Sequence, residues 1–156
     1  GQTGDAYDMV APDPTGAGAA KSMENAVKDA NIDPREVGYI NAHGTSTHLG
    51  DIAESKAIAS VFGDLSLNKN LKVSSTKSMH GHMIGATGAA ESIVCLKVLC
   101  EGIIPPTINL DEPDVEGGCD LDYTPNKGIE VAVNVAMSGN FGFGGHNGIL
   151  VIKKVQ

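Results

Sequence analysis

The stretch Val73-Ser74-Ser75-Thr76-Lys77-Ser78-Met79-His80-Gly81-His82-Met83-Ile84-Gly85-Ala86-Thr87-Gly88-Ala89-Ala90-Glu91 constrains the fold more than any other part of the chain. A short apolar and hydroxyl-bearing run reads as the end of a strand. A lysine and two histidines follow on a turn, and Gly, Ala and Thr then open a helix. The small residues Gly85, Ala86, Gly88, Ala89 and Ala90 let that helix press its backbone against a neighbour. Ionisable side chains therefore sit where a strand hands over to a helix. In open α/β sheets, that edge is where ligands bind.

A helix N-terminus carries partial positive charge, so an imidazole beside it, such as His82, is disfavoured in its charged form. A neutral imidazole can donate one N–H to a carbonyl oxygen or an oxyanion. Lys77 adds positive charge nearby. A lone histidine on such a turn equally suits a structural role, satisfying backbone groups, so the rest of the chain has to decide between the two.

Two other junctions share this character. Val37-Gly38-Tyr39-Ile40-Asn41-Ala42 reads as a buried strand that runs into His43-Gly44-Thr45-Ser46-Thr47. The helix after it carries Ala53, Ala57, Ile58, Val61 and Phe62 on one face, with Asp51 and Glu54 in its first turn, where the dipole favours acids. Residues 131–138 read as a strand, 139–148 as a glycine-rich turn and 149–152 as the return strand of an antiparallel hairpin. The glycines permit positive φ and close approach of a backbone N–H to a ligand. This is not a phosphate loop, because it lacks the Gly-Lys-Ser/Thr ending and joins strand to strand.

The intervening segments complete an α/β pattern. Residues 1–14 read as a turn-rich surface arm, and Ala19, Ala20, Met23, Ala26, Val27 and Ala30 predict a helix over 16–30 that Asn31 ends. Asp33-Pro34 caps one short turn. A polar loop is expected over 63–70, a strand over 71–76, a helix over 84–101, an ordered connection over 103–118 and a short strand over 121–123. Between Ile93 and Cys100 only Lys97 is charged, which predicts deep burial of that helix. Glu91 then needs a partner if it faces inward, and otherwise points to solvent. The expectation is one domain over 1–156, α/β, with a mixed sheet and packed helices.

Bulk properties narrow the function. At 156 residues the chain can bury a real core. No apolar run approaches the ~18 residues that span a bilayer, and residues 1–14 lack the basic start and apolar stretch of a signal peptide. The expected location is cytoplasmic, with no membrane contact. A net charge of −8 argues against nucleic acid as a partner. Cys95, Cys100 and Cys119 form no disulfide framework. Cys95 and Cys100 are expected in the core, and none of the three lies on a nucleophile-presenting turn. His43, His48, His80 and His82 follow no known zinc spacing, so no metal is expected.

Four motifs together resemble the β-ketoacyl-[acyl-carrier-protein] synthases. They are Asn41-Ala42-His43-Gly44-Thr45-Ser46-Thr47; Ser74-Ser75-Thr76-Lys77-Ser78-Met79 with Gly81-His82 and Gly85-Ala86; Pro105-Pro106-Thr107-Ile108-Asn109-Leu110; and Asn140-Phe141-Gly142-Phe143-Gly144-Gly145. They occur in family order and spacing across nearly the whole chain, and look most like the elongating type II enzymes of bacterial fatty-acid synthesis. The resemblance implies the C-terminal half of a thiolase-like fold and a decarboxylating Claisen condensation of an acyl thioester with malonyl-carrier protein. It implies that His43 and His82 assist decarboxylation and hold the malonyl thioester oxygen, that Lys77 orders the site, and that Glu91 is buried near Lys77. It assigns the phosphopantetheine arm to Thr45 and Thr47, and the acyl gate to Phe143, whose backbone N–H joins the oxyanion hole beside Gly144 and Gly145.

The implied partners are acyl carrier protein, acyl and malonyl thioesters and, in the complete enzyme, a second copy in a homodimer. No cofactor of its own is implied, since phosphopantetheine arrives on the carrier protein. The family's nucleophilic cysteine belongs to an N-terminal half that this chain lacks, so the chain by itself is expected to be inactive and to begin just after the first strand of its half. His48, His80 and His146 stand where proline or threonine is more usual. A non-catalytic, chain-length-factor-like partner and a polyketide synthase ketosynthase domain are the alternatives. Intact His43, Lys77 and His82 argue against the former.

Overall fold

The structure, a computed structural model, describes residues 1–63 and 71–155. A mixed sheet has the order β1-β7-β6-β2-β3. Its strands are β1 (Gln2–Gly4), β2 (Tyr39–Asn41), β3 (Lys72–Ser74), β6 (Val135–Gly142) and β7 (His146–Lys153). β2 lies parallel to both β3 and β6, whereas β7 runs antiparallel to β6 and β1. A separate pair, β4 (Ile103–Ile104) and β5 (Ile129–Glu130), is antiparallel. The helices are α1 (Ala17–Asp29), α2 (His48–Phe62), the single turn α3 (Lys77–His80) and α4 (Thr87–Glu101).

Strand alternation sorts the side chains to two faces. Ile40, Val73, Val135, Met137 and Ile149 point to one side, where α1 and α2 supply Met23, Ala26, Val27, Ala57, Ile58 and Phe62. Tyr39 and Ala136 point to the other, against Cys95, Val98 and Leu99 of α4. The result is a three-layer α/β/α arrangement. Burying each such aliphatic side chain contributes about 1.5–3 kcal/mol. α1 meets α2 at Gly16, which has φ 69° and where a Cβ would lie 2.3 Å from the Ala53 carbonyl oxygen.

The local signals hold in several places. Asn31 leaves α1 at φ 51°. Asp33 and Glu36 form a capping box around a one-turn 3-10 helix at Pro34–Glu36. Other expectations need correction. Residues 1–14 are not merely a surface arm, because Gln2–Gly4 extends the sheet along β7. The last hairpin strand starts at Val135, not 131, and runs on to Gly142, so the turn shrinks to Phe143-Gly144-Gly145. At Gly139, paired with Ile149, a Cβ would lie 3.3 Å from the Ile149 side chain and 3.7 Å from that of Phe141. Residues 121–123 form no strand. They are tied to β3 by the Val73 N–H to Asp122 carbonyl bond of 3.1 Å and by Lys72 to Asp122 at 2.6 Å.

α4 begins at Thr87, after a 3-10 turn at Ile84–Ala86. It is not deeply buried all round: Ile93, Leu96 and Cys100 are exposed, so Cys100 is no core residue. One face alone meets the sheet. Of the polar loop expected over 63–70, residues 64–70 lie outside the described residues. Among the described residues, no helix is long and apolar enough to cross a membrane.

Candidate active site

His43 follows β2 and His82 follows β3, so the parallel pairing of the two strands carries both imidazoles to the same sheet edge. Their ring centroids lie 5.4 Å apart at an interplanar angle of 87°. The second aromatic neighbour of His43 is Phe141 at 5.6 Å. Phe143, which the resemblance singled out, is 77% exposed at the hairpin tip. Contact with His43 falls to the aromatic two residues earlier, which lies within β6, whereas Phe143 lies beyond the strand end in the turn.

Lys77 opens α3, with its side chain buried, and its Nζ meets Glu91 Oε1 at 2.6 Å. The other carboxylate oxygen of Glu91 accepts the side-chain N–H of Asn140 at 3.0 Å. α3, α4 and β6 are thereby joined through three polar side chains, two of which act on the His43 ring. Ionic groups withdrawn from water require such pairing.

The His43 imidazole is held well below its ordinary range, at about 4, chiefly by burial. Positive charge on Lys77 and the His82 ring push in the same direction, and the Asn140 side chain opposes them. His43 is thus a neutral ring at pH 7. Its Nδ1 is a buried polar atom without a hydrogen-bond partner among the described residues, a costly state away from functional sites. The leading cause at His43 is desolvation, not a helix terminus.

His82 is exposed and fixed through Nδ1, which accepts the backbone N–H of Ile84 at 3.0 Å. A ring nitrogen that accepts carries no proton, so the proton of the neutral ring lies on Nε2. His80 turns elsewhere. Its Nδ1 donates to the Gly81 carbonyl at 2.7 Å, and its Nε2 lies 3.1 Å from Thr76 Oγ1.

The loop behind His43 is held by a residue that the sequence reading treated only as a dipole partner. Glu54 accepts the backbone N–H groups of His43 and Gly44, both at 2.8 Å. Its carboxyl is fully buried and pushed up to about 7, burial outweighing the two backbone bonds and Lys77. The period of α2 could have revealed this role, since Glu54 lies between Ala53 and Ala57 on the buried side. Asn41, Asn140 and Phe141 were also passed over, although each lies inside a quoted motif.

Thr45 and Thr47 approach each other at 3.1 Å between hydroxyls. Gly50 makes room for them, because a Cβ there would come within 2.5 Å of Thr47 Oγ1. Gly144 and Gly145 adopt φ of 82° and 74°, and the turn is tied to the N-terminal segment by Gly144 N–H to Met9 carbonyl and Asp5 N–H to Gly145 carbonyl bonds. A cavity of about 550 Å³ behind the loop is lined by Gly44, Thr45, Lys77, Cys119 and Tyr123, but not by His43 or His82. The thiols of Cys95 and Cys119 are engaged with the Met137 carbonyl and Ser55, and burial pushes the Cys95 thiol up to about 12. Among the described residues, no cluster of His, Cys, Asp and Glu could hold a metal ion.

Two of the departures from family pattern, His48 and His146, lie on the exposed periphery. His48 pairs with Asp114 at 3.5 Å across an exposed surface, a contact worth about 0–1 kcal/mol. The His146 ring packs 3.4 Å from where a Cβ on Gly144 would be.

Known proteins resemble this chain in sequence and in fold. Residues 1–111 match the family described as beta-ketoacyl synthase, C-terminal domain. The chain is 49% identical over its whole length to 3-oxoacyl-[acyl-carrier-protein] synthase 2 of Staphylococcus aureus strain COL. It is 50% identical over 99% of its length to the protein of the same name from Coxiella burnetii. It spans 37% and 36% of those two proteins. A β-ketoacyl synthase from Burkholderia phymatum superposes with a TM-score of 0.91 at 37% identity, over all of this chain and 36% of its own. A type II polyketide ketosynthase, in complex with its acyl-carrier protein, superposes at 0.93 and 37% identity, over 99% of this chain and 37% of its own. The paired imidazoles, the buried lysine–glutamate link and the glycine hairpin thus sit in the α/β, thiolase-like fold of these enzymes, and the chain belongs to the β-ketoacyl synthase family as its C-terminal domain.

Proposed function

We propose that this chain is a single domain supplying the decarboxylating half of a 3-oxoacyl-[acyl-carrier-protein] synthase that elongates fatty acids. The observation that carries the reading is the His43–His82 pair, two rings 5.4 Å apart and edge to face, one neutral by burial and the other presenting Nε2–H. Malonyl-carrier protein loses CO2, and the electron pair of the broken bond delocalises onto the thioester oxygen. Preorganised N–H donors stabilise such an enolate oxygen. The α-carbon then attacks an acyl thioester held on a cysteine outside this chain, and the cysteine leaves as thiolate. Lys77 and Glu91 fix the floor of the site, Thr45 and Thr47 offer hydroxyls to the phosphopantetheine arm, and Phe143 and the Gly144-Gly145 turn guard the acyl side.

Acyl carrier protein and acyl and malonyl thioesters are the partners in this reading, with the complete enzyme a cytoplasmic homodimer that needs no cofactor of its own. Identity favours fatty-acid elongation over polyketide assembly: 49% to the Staphylococcus aureus synthase against 37% to the type II polyketide ketosynthase. The test is release of labelled CO2 from malonyl-carrier protein by the complete synthase containing this domain, together with formation of 3-oxoacyl product. The 156-residue chain alone should form no such product. A complete synthase that binds malonyl-carrier protein and releases no CO2 would sink the reading.

A further inference from the structure

We propose that Thr87 is a positioning residue for His82: its hydroxyl donates a second hydrogen bond to Nδ1 and holds the ring in the tautomer protonated on Nε2. The proposal rests on the condensing reading of the site. Thr87 is the first residue of α4 and is fully buried. Its Oγ1 accepts the backbone N–H of Met83 at 2.9 Å. A hydroxyl has one proton to give, and His82 Nδ1 lies 3.2 Å away. That nitrogen already accepts the Ile84 N–H at 3.0 Å, so a proton on Nδ1 would face another donor. The direction of the Thr87–His82 bond follows: the hydroxyl gives and the imidazole accepts.

The arrangement has a chemical consequence. A carboxylate partner would make an imidazole more basic. Two donors on Nδ1 do the reverse. They draw electron density from the ring and make Nε2–H a stronger donor to an enolate oxygen. The same hydroxyl also restrains the backbone. Ile84, a β-branched residue, sits in this turn at φ 52°. Such a conformation persists only where its surroundings enforce it, and Thr87 links Met83, His82 and the first turn of α4 around it.

Thr87→Val keeps the shape and removes the hydroxyl, whereas Thr87→Ser keeps the hydroxyl. In the complete synthase, Thr87→Val should slow malonyl decarboxylation about five- to tenfold, the scale of one neutral hydrogen bond, with KM for malonyl-carrier protein unchanged. Thr87→Ser should stay within about twofold of the parent. In ¹⁵N-histidine-labelled protein, the His82 Nδ1 resonance, identified by its loss in His82→Ala, should be of the acceptor type in the parent and the Ser variant. In Thr87→Val, where the Ile84 N–H remains the one donor to Nδ1, it should move part of the way toward the protonated type. A protonated Nδ1 in the parent overturns the proposal. So does a Val variant with parental rate and spectrum, or a Ser variant as impaired as the Val one. The spectrum needs no turnover, so a synthase that releases no CO2 defeats the condensing reading while the ring signal still decides the role of Thr87.

Discussion

The ammonium of Lys77 and the carboxylate of Glu91 meet at 2.6 Å with 4% and 0% of their side chains exposed, and this contact ties α3 to the first half of α4. Lys77 and Asn140, both held by Glu91, act on the His43 ring, so the geometry of the site depends on a pair of charges withdrawn from water. Removing one partner strands the other, which is worse than losing both.

Lys77→Met should accordingly destabilise the fold by about 3–5 kcal/mol. Lys77→Met with Glu91→Gln should recover most of that loss, because the glutamine still offers an oxygen to the Asn140 amide. Urea unfolding of the two variants and the parent measures the difference. Equal losses in the single and double variants would show that the pair is not coupled in this way.

The three histidines near the site should separate by function. In the complete synthase, His43→Ala or His82→Ala should lower malonyl decarboxylation by about 10²–10³-fold. His80→Ala should largely spare it, since that ring is occupied with the Gly81 carbonyl and Thr76. Release of CO2, measured after each variant is shown to be folded, decides the matter. A loss in the His80 variant as large as in the other two contradicts the assignment.

pH should act on His43 and Glu54 in opposite directions. The folded-state value of His43 is lowered from 6.5 to about 4, so the neutral ring contributes stability that is present above 6.5 and lost as pH falls through about 4. The folded-state value of Glu54 is raised from 4.5 to about 7, so its contribution is present below 4.5 and lost as pH rises through about 7. Ring-proton NMR should find the His43 midpoint near 4. Glu54→Gln should flatten the stability profile between 4.5 and 7. A His43 midpoint at its ordinary 6.5 would remove the argument from burial.

Gly16→Ala tests how closely α1 and α2 pack. The glycine has φ 69°, and an added Cβ would lie 2.3 Å from a backbone oxygen of α2, which cannot swing aside as a side chain can. The combined backbone and steric cost should be about 2–4 kcal/mol, read as a shift in the urea midpoint. An unchanged midpoint would mean that the two helices separate without penalty.

Much of this protein was legible in the chain itself. The period of Ala19, Met23, Ala26 and Val27 determined α1, the apolar run through Tyr39 and Ile40 determined β2, and the four motifs at 41–47, 74–86, 105–110 and 140–145 carried the resemblance to the family. These are local signals: a helix or strand face is written into 10–15 consecutive residues, and a family motif into fewer. Sequence could also say that Glu91 needed a partner if buried, because the cost of an unpaired internal charge does not depend on the fold.

Tertiary structure decided the rest, because it depends on which segments meet. That Glu91 faces Lys77 and not solvent follows from how α4 lies on β6 and β2. Glu54 became the clamp of the His43 loop only when α2 folded back under β2. Residues 2–4 became a strand because β7 offered them an edge, and no local pattern records an edge supplied by residues 146–148. Burial lowered the His43 imidazole, and burial belongs to the packed molecule. Phe141 took the place beside His43 that the motif reading gave to no aromatic, since β6 ends at Gly142 and leaves Phe143 on the exposed turn.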